Sequence, residues 1–150
     1  MNADDLLPSF VDTNVLVYAA ARDDVARSPV AQSLIMRLMA AKAFHTSTQV
    51  LQELFVALTR KGAKALSAND AIRYLDRIAV HPVVTLDYSA VRAAAQLSAA
   101  HHVSFWDALV LVAASRCRAV RLYTEDLQDG RTMLGVEIVN PFRDVPPTPA

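Results

Sequence analysis

In the stretch Phe10-Val11-Asp12-Thr13-Asn14, an apolar run ends on a carboxylate and a second apolar run follows almost at once. This pattern predicts a buried strand that ends before Asp12 and a buried helix that begins at Thr13 or Asn14. Asp12 then has an ordinary explanation as a helix cap, because its side-chain oxygens can accept the free N–H groups of the first turn. Asp12 also lies at the carboxyl end of a strand, which is where ligands bind in open parallel sheets. Further carboxylates at the same edge would favour this second interpretation.

The composition predicts a single domain with no net charge that would attract a charged partner from a distance. The chain has 150 residues, of which 53% are hydrophobic, and its 15 basic residues balance its 15 acidic residues. A nucleic acid would therefore have to be held by a few local Arg or Lys contacts or through a metal ion. We predict one domain over residues 1–143 and a Pro-rich, loosely ordered tail over residues 144–150.

Several features predict a cytoplasmic protein. The single Cys117 cannot form an internal disulfide, which is typical of a reducing compartment. The acidic N-terminus lacks the basic segment of a signal peptide. No uninterrupted apolar run approaches the ~18 residues that a membrane span needs, so no membrane association is expected.

Strand-like and helix-like segments alternate along the chain. Five strands are predicted, at Ser9–Val11, Ala43–Thr46, Val83–Leu86, Val120–Thr124 and Val136–Asn140. The later helices are predicted to start at the capping residues Ser28, Thr46, Ser67, Asp87 and Ser104. This alternation predicts an α/β fold, a three-layer α/β/α sandwich around a short, mainly parallel five-stranded sheet.

Two of these helices carry more apolar side chains than one small sheet can cover. The side chains recur at helical spacing and are Val30, Leu34 and Leu38 in one helix and Ile72, Leu75 and Ile78 in the other. We therefore predict a homodimer that forms through the helices flanking the N-terminal half of the sheet.

Four acids are predicted to share one edge of the sheet, because a helix in a βαβ unit starts at the carboxyl edge and returns to the amino edge. Asp12 ends the first strand, and Asp126 follows the fourth. Glu53 lies early in the helix after the second strand, and Asp107 lies in the first turn of the apolar helix that leads into the fourth. These carboxylates come from distant segments of the chain.

Each acid also has an ordinary explanation when it is considered alone. Glu53 lies off the apolar stripe of its helix, where a solvated face would accommodate it. Asp107 follows Ser104 by three residues, as in a capping box, although its helical neighbours are apolar and a buried carboxylate needs a strong partner. Asp126 and Asp129 could both be turn acids.

Clustered carboxylates raise one another's pKa unless a cation offsets their charge. Mg²⁺ and Mn²⁺ prefer oxygen ligands and substrate phosphates, and they support phosphodiester hydrolysis by an activated water. Zinc is not favoured, because the four His and the lone Cys show no zinc-ligand spacing. Neither of the glycine-rich motifs G-x-x-x-x-G-K-[ST] and G-x-G-x-x-G is present, so nucleotide-cofactor folds are not supported.

At these residues the chain resembles the PIN-domain nucleases, in particular the VapC-type toxins of bacterial toxin–antitoxin pairs. The resemblance runs from about Phe10 to Asn140 and is carried by the strings FVDTN, QVLQELFVAL, SFWDALVLVAA and LYTEDLQDG. It implies an α/β/α sandwich, RNA cleavage that depends on Mg²⁺ or Mn²⁺, a homodimer, and a cognate antitoxin that covers the site.

The resemblance also implies roles for particular residues. The catalytic acids would be Asp12, Glu53, Asp107 and Asp126, the metal ligands Asp12, Asp107 and Asp126, and the supporting residues Thr13, Asn14, Thr124 and Asp129. Thr13 would place a hydroxyl nearby, and Asn14 would order the start of the first helix. The common family form ends in an acid followed by Phe, whereas Gly130 follows Asp129 here. Glu125, Asp126 and Asp129 therefore stay alternatives for the acid that faces the metal.

Two other functions are compatible with parts of this sequence. A catalytically silent PIN-like binding module is the alternative, but the presence of all four acids favours the enzyme. A phosphoaspartyl enzyme with Asp12 as its nucleophile would need a second Asp two residues later, where this chain has Asn14.

Overall fold

The computed structural model describes residues 7–60 and 65–146. The helices are α1 (Thr13–Ala21), α2 (Arg27–Ala40), α3 (Thr48–Thr59), α4 (Ala68–Ile78), α5 (Tyr88–His101) and α6 (Phe105–Arg116). The strands are β1 (Ser9–Val11), β2 (Phe44–Ser47), β3 (Val83–Val84), β4 (Arg121–Tyr123), β5 (Thr132–Met133) and β6 (Val136–Val139). The predicted tail is described only as far as Pro146, and residues 147–150 lie outside the described part.

The strands form one sheet in the order β3-β2-β1-β4-β6-β5. Every pairing is parallel except that of β5 with β6. The parallel strands therefore end at the same edge, and β1 lies between β2 and β4 near the middle of it. Phe10 and Val11 point to opposite faces of β1 and both are fully buried, so both faces of the sheet are covered. The predicted α/β/α fold is confirmed.

The strand count differs slightly from the prediction, which had five strands instead of six. The additional strand, β5, is two residues long and pairs antiparallel with β6 through the two-residue loop Leu134-Gly135. Both loop residues have a positive φ, as in a type I′ turn. That turn usually carries Asn-Gly or Asp-Gly, so the Leu-Gly pair gave no hairpin signal.

Helix α6 forms the centre of one helical layer. Every residue from Ala108 to Ala114 is buried, because α5 packs on one side of α6 and strands β2, β4 and β6 contact it as well. The prediction of a buried helix here is confirmed. The buried run begins directly after Asp107, which is therefore the last polar residue before the apolar part of the helix.

Three predicted helix caps are confirmed. The side-chain oxygens of Ser67, Asp87 and Ser104 each accept the backbone N–H three residues later. The cap predicted for α3 at Thr46 is wrong by one residue, since Ser47 accepts the Val50 N–H. Thr46 lies inside β2, and its hydroxyl donates to the Val11 carbonyl.

The cap predicted for α2 at Ser28 is also wrong. The helix begins at Arg27, and the Asp24 carboxylate accepts the Arg27 N–H at 2.9 Å. Ser28 lies inside the helix, where its hydroxyl donates to the Tyr18 carbonyl at 2.6 Å. A buried hydroxyl that is close to a free carbonyl of α1 forms this contact between helices instead of a cap.

The apolar faces are only partly as predicted. Leu34, Leu38 and Ile78 are buried in the chain's own core, so they need no partner. Ile72, by contrast, is 46% exposed, and Val56 on α3 is 55% exposed. One part of the uncovered apolar surface therefore lies on α3 and α4.

Within residues 7–60 and 65–146, no single helix is both long and apolar enough to cross a membrane. Helices α5 and α6 pass that test only as a pair, and a bend of 120° separates them.

We predict that Leu134→Asn stabilises the protein. Leu134 is 48% exposed and has a φ of 51°, a conformation that Asn adopts more readily than Leu. The gain in the free energy of unfolding should be about 0.5–1 kcal/mol, measured by urea denaturation. Leu134→Val is the matched control and should destabilise the protein, because a β-branched side chain is strained at positive φ. Stabilisation by Val instead would contradict the assigned turn.

Candidate active site at the carboxyl edge of the sheet

Asp12 lies where β1 ends and α1 begins, and it is only 5% exposed. One carboxylate oxygen accepts the Thr13 N–H at 2.7 Å. The other accepts the hydroxyl of Thr124 at 2.9 Å, and Thr124 directly follows β4 and is fully buried. Because β1 and β4 are adjacent parallel strands, their ends bring these two side chains together. Asp12 therefore caps α1 and also joins two strand ends.

Glu53 is exposed, yet both of its carboxylate oxygens are held. The Thr13 hydroxyl donates to Oε2 at 2.8 Å, across 40 residues of sequence. Gln49, one helical turn earlier on α3, donates to Oε1 at 2.9 Å. Thr13 therefore bonds two acids, because its N–H donates to Asp12 and its hydroxyl donates to Glu53.

Asn14 joins α1 to the turn that follows β4. Its side-chain amide donates to the Asp126 carboxylate at 2.9 Å and lies 3.4 Å from the Thr124 hydroxyl. The Asp126 N–H in turn donates to the same hydroxyl at 3.2 Å. Asp126 is exposed, so these bonds set its direction without burying it.

Asp107 is half-buried in the first turn of α6. Burial is the main cause that raises its pKa, and the charges of Asp126 and Glu53 raise it further, while a hydrogen bond with Ser104 lowers it. The capping bond of this turn runs from the Asp107 N–H to the Ser104 hydroxyl at 3.1 Å. The carboxylate itself makes no bond to the backbone N–H of Ser104, so the second half of a capping box is not formed.

The four predicted acids therefore share one electrostatic environment. Burial raises the pKa of Asp12 to about 6; the bonds from Thr13 and Thr124 oppose this shift, and the charges of Asp126 and Glu53 add to it. The same two charges act on Asp107. The structure brings together the acids of β1, α3, α6 and the turn after β4, as the topology predicted.

The other acids of the last motif are engaged elsewhere. Glu125 accepts the hydroxyl of Tyr18 at 2.6 Å and lies 3.4 Å from Arg27 Nε. Asp129, predicted as a supporting residue, accepts the Asn140 N–H at 2.8 Å and lies 3.7 Å from an Arg143 nitrogen. Of the three alternatives, Asp126 is the one whose charge reaches Asp12 and Asp107.

The donor set fits a hard cation that keeps part of its water shell. Carboxylates supply oxygen ligands, and Mg²⁺ is usually held by one or two of them together with water and phosphate. Within the described residues, no three His, Cys, Asp or Glu side chains are arranged to hold a metal ion by themselves. Two amide oxygens beside the acids, those of Asn14 and Gln49, are buried without a hydrogen-bond partner, a further sign that the polar site is incomplete as protein alone.

Sequence reasoning missed Gln49 as a residue of the site. Gln49 is 5% exposed, and its side-chain amide bonds Glu53 and the Trp106 carbonyl. The spacing of four between Gln49 and Glu53 was the available signal, since residues at i and i+4 meet on one helix face. The contact with Trp106 was not visible in the sequence, because 57 residues separate the two.

Fold and site together define an α/β/α domain with an acidic site at the carboxyl edge of a parallel sheet. The profile of the PIN domain matches residues 9–128, and the chain belongs to the PIN-domain family. Comparison with curated proteins gave no match.

Solved structures show the same fold. VapC20 of Mycobacterium tuberculosis, described as a toxin that cleaves the sarcin–ricin loop, has a TM-score of 0.62 and 22% identity, with coverage of 79% of this chain and 89% of its own. A toxin–antitoxin complex from Klebsiella pneumoniae has a TM-score of 0.60 and 18% identity, with coverages of 89% and 97%. VapBC2 from Rickettsia felis, bound to a DNA fragment from its promoter, has a TM-score of 0.61 and 16% identity, with coverages of 88% and 97%.

We predict that Asp12 makes the metal-free protein less stable as the pH rises. The unfolded side chain ionises near its ordinary pKa of 3.8, whereas the folded one ionises near 6. The free energy of unfolding should therefore fall by on the order of 3 kcal/mol as the pH rises from about 4 to above 6. Asp12→Asn cannot ionise, so its free energy of unfolding should lack this decline.

Urea denaturation of both proteins in EDTA, from about pH 4 to about pH 7, measures the difference. The comparison cancels the groups that titrate identically in the two proteins. Parallel curves for wild type and Asp12→Asn would show that burial does not perturb this carboxyl.

Proposed function

We propose that this protein is a metal-dependent endoribonuclease that acts as the toxin of a toxin–antitoxin pair. The observation that carries the proposal is the convergence of Asp12, Glu53, Asp107 and Asp126 at one sheet edge. Membership of the PIN-domain family and the shared fold with VapC20, which is described as an RNA-loop-cleaving toxin, support it.

Asp12, Asp107 and Asp126 would hold Mg²⁺ or Mn²⁺. A divalent cation held there would supply an activated water and would offset charge on the phosphate. The acids act as ligands and not as nucleophiles. Above neutral pH Asp12 is mainly ionised, since its pKa is about 6, and the bonds from Thr13 and Thr124 keep its two oxygens in place. Thr13 and Gln49 hold Glu53 in the same way at the opposite side.

A cognate antitoxin is proposed as the protein partner. Two of the similar structures are complexes of a toxin with an antitoxin, which supports a partner of this kind. We place the reaction in the cytoplasm, because the lone Cys117 favours a reducing compartment.

A silent PIN-like binding module is the second candidate. It is favoured by one observation, that no three acids or other ligand side chains of the described residues form a metal site directly. In such a module the acids would serve only to cap helices and to join strand ends. A single substitution separates the two functions.

We predict that Asp107→Asn abolishes metal-dependent cleavage without unfolding the protein. Removing one of four clustered charges relieves repulsion, so the metal-free variant should be at least as stable as the wild type. It should lose most of the stabilisation that Mn²⁺ gives, because that gain depends on binding to the folded state alone. Cleavage of single-stranded RNA should fall more than ~100-fold, since even indirect changes at metal sites cost 10–100-fold.

Thermal melts with and without Mn²⁺, beside an RNA cleavage assay, provide the measurement. Asp23→Asn in the loop after α1 is the matched control, because Asp23 is an exposed acid beyond the end of α1 that is opposite to Asp12. A variant of Asp107 that still responds to Mn²⁺ and still cleaves RNA would return this acid to a structural role. Wild-type protein that neither binds Mn²⁺ nor cleaves RNA would favour the binding module.

A homodimer through α3 and α4 is also proposed. A cavity of about 420 Å³ opens between these helices and is lined by Leu51, Gln52, Phe55, Val56 and Leu75, with almost only apolar surface. Val56 of this lining is exposed, and so is Ile72, three residues before Leu75 on α4. Contiguous apolar surface of this kind is typical of an interface between subunits.

We predict that Val56→Glu produces a monomer. A charge at the centre of an apolar interface would lose its hydration on association, which strongly disfavours the dimer. Light scattering at micromolar concentration measures the mass. Val80→Glu is the matched control, because Val80 is 80% exposed and lies in the turn after α4. A wild-type protein that is already monomeric would refute the dimer.

A further inference from the structure

The chain's single Trp lies beside the acidic site and is exposed. Trp106 directly precedes Asp107 in the first turn of α6, and 64% of its surface is accessible. Isolated apolar residues on a surface are normal, so exposure alone assigns no role. What distinguishes Trp106 is the way in which the surrounding residues hold it.

One contact positions the indole of Trp106, and a second positions its backbone. The ring of Phe105 packs edge-to-face with the indole, with centroids 5.1 Å apart and planes at 77°. The Trp106 carbonyl accepts the side-chain amide of Gln49 at 3.3 Å. The same Gln49 nitrogen donates to Glu53 at 2.9 Å, so one buried side chain connects the aromatic residue to an acid of the site.

The charges of the site give the substrate little help in binding. The chain has no net charge, and the acids repel a phosphate before a cation offsets them. Arg27, which follows the first helix and would be a candidate phosphate contact, is already paired with Asp24 and Glu125. A contact that does not depend on charge would therefore add to the affinity for RNA. Stacking of an unpaired base on an aromatic side chain is such a contact.

We propose that Trp106 is the base-stacking residue of this site, and that one unpaired base of the RNA stacks on the indole next to the phosphate held at the acids. This inference rests on the proposed function. A base inside a duplex is already stacked on its neighbours and cannot reach the indole. The site therefore selects unpaired nucleotides in loops, bulges or ends.

Binding to an RNA oligonucleotide tests the energetic part of the inference. Trp106→Ala should raise the Kd for a fluorescently labelled single strand about 5- to 100-fold, the range for loss of one stacked base. The KM for cleavage should rise by a similar factor, while kcat changes little. Trp106→Phe keeps an aromatic face and should recover most of the affinity. Tyr88→Ala is the control, since Tyr88 is a 77% exposed aromatic residue at the start of α5 and should have no effect.

Fluorescence tests the contact itself, because Trp106 is the only Trp of the chain. A stacked nucleobase quenches indole emission. Titration of the wild type with single-stranded RNA, with Ca²⁺ in place of Mg²⁺, should quench the emission. The same strand in a duplex, or a strand with abasic sites, should not. A gel run afterwards checks that the RNA is intact.

The outcomes separate this inference from the proposed function. Cleavage by the wild type with no quenching, and an unchanged Kd for Trp106→Ala, would overturn the stacking role and leave the nuclease standing. Quenching by single strands without cleavage would support the stacking role while the proposed enzyme fails. A blue shift of the emission that grows with protein concentration alone would show that a second copy covers Trp106, which would also overturn the inference.

Discussion

The hydrogen bond between the buried Asp12 carboxylate and the Thr124 hydroxyl is the contact on which the rest of the site depends. It joins the ends of β1 and β4 at 2.9 Å and so fixes where α1 and the turn after β4 begin. A buried charge is costly unless it is paired, and Asp12 has only two hydrogen-bond donors and no basic partner among its contacts. Burial outweighs these two bonds and raises the pKa of Asp12 to about 6, and a bound cation would lower that pKa again.

The acids around Asp12 are held by uncharged donors. Thr13 bonds Glu53, Asn14 bonds Asp126, and Ser104 bonds Asp107. Neutral donors orient the carboxylates without neutralising them, so the negative charge stays available to a cation. By contrast, the acid outside this group, Glu125, is paired with Arg27 and Tyr18, and it anchors the turn that carries Asp126. The molecule thus separates acids that stabilise the fold from acids that are left for a ligand.

The sequence predicted which segments are buried, but it did not predict the hydrogen bonds between distant elements. The buried segments of β1 and α6 were predictable because their apolar runs leave no alternative to burial. The predicted caps at Ser28 and Thr46 were wrong, because each hydroxyl donates to a carbonyl of a neighbouring element. No local sequence rule predicts such a contact. Strand β5 was missed because a strand of two residues shows no periodicity and the turn that follows it carries no hairpin signal.

The sequence by itself determined the alternation of strands and helices, and with it the arrival of four acids at one edge, since the direction of a parallel strand and its helix follows from chain order. Tertiary structure alone decided which acid of the Glu125-Asp126-Asp129 group joins Asp12, because that choice depends on bonds to Tyr18, Asn14 and Asn140 from distant segments. It also decided that Gln49 links Glu53 to Trp106. Local sequence sets where a helix begins, but only packing sets which side chains meet across the edge.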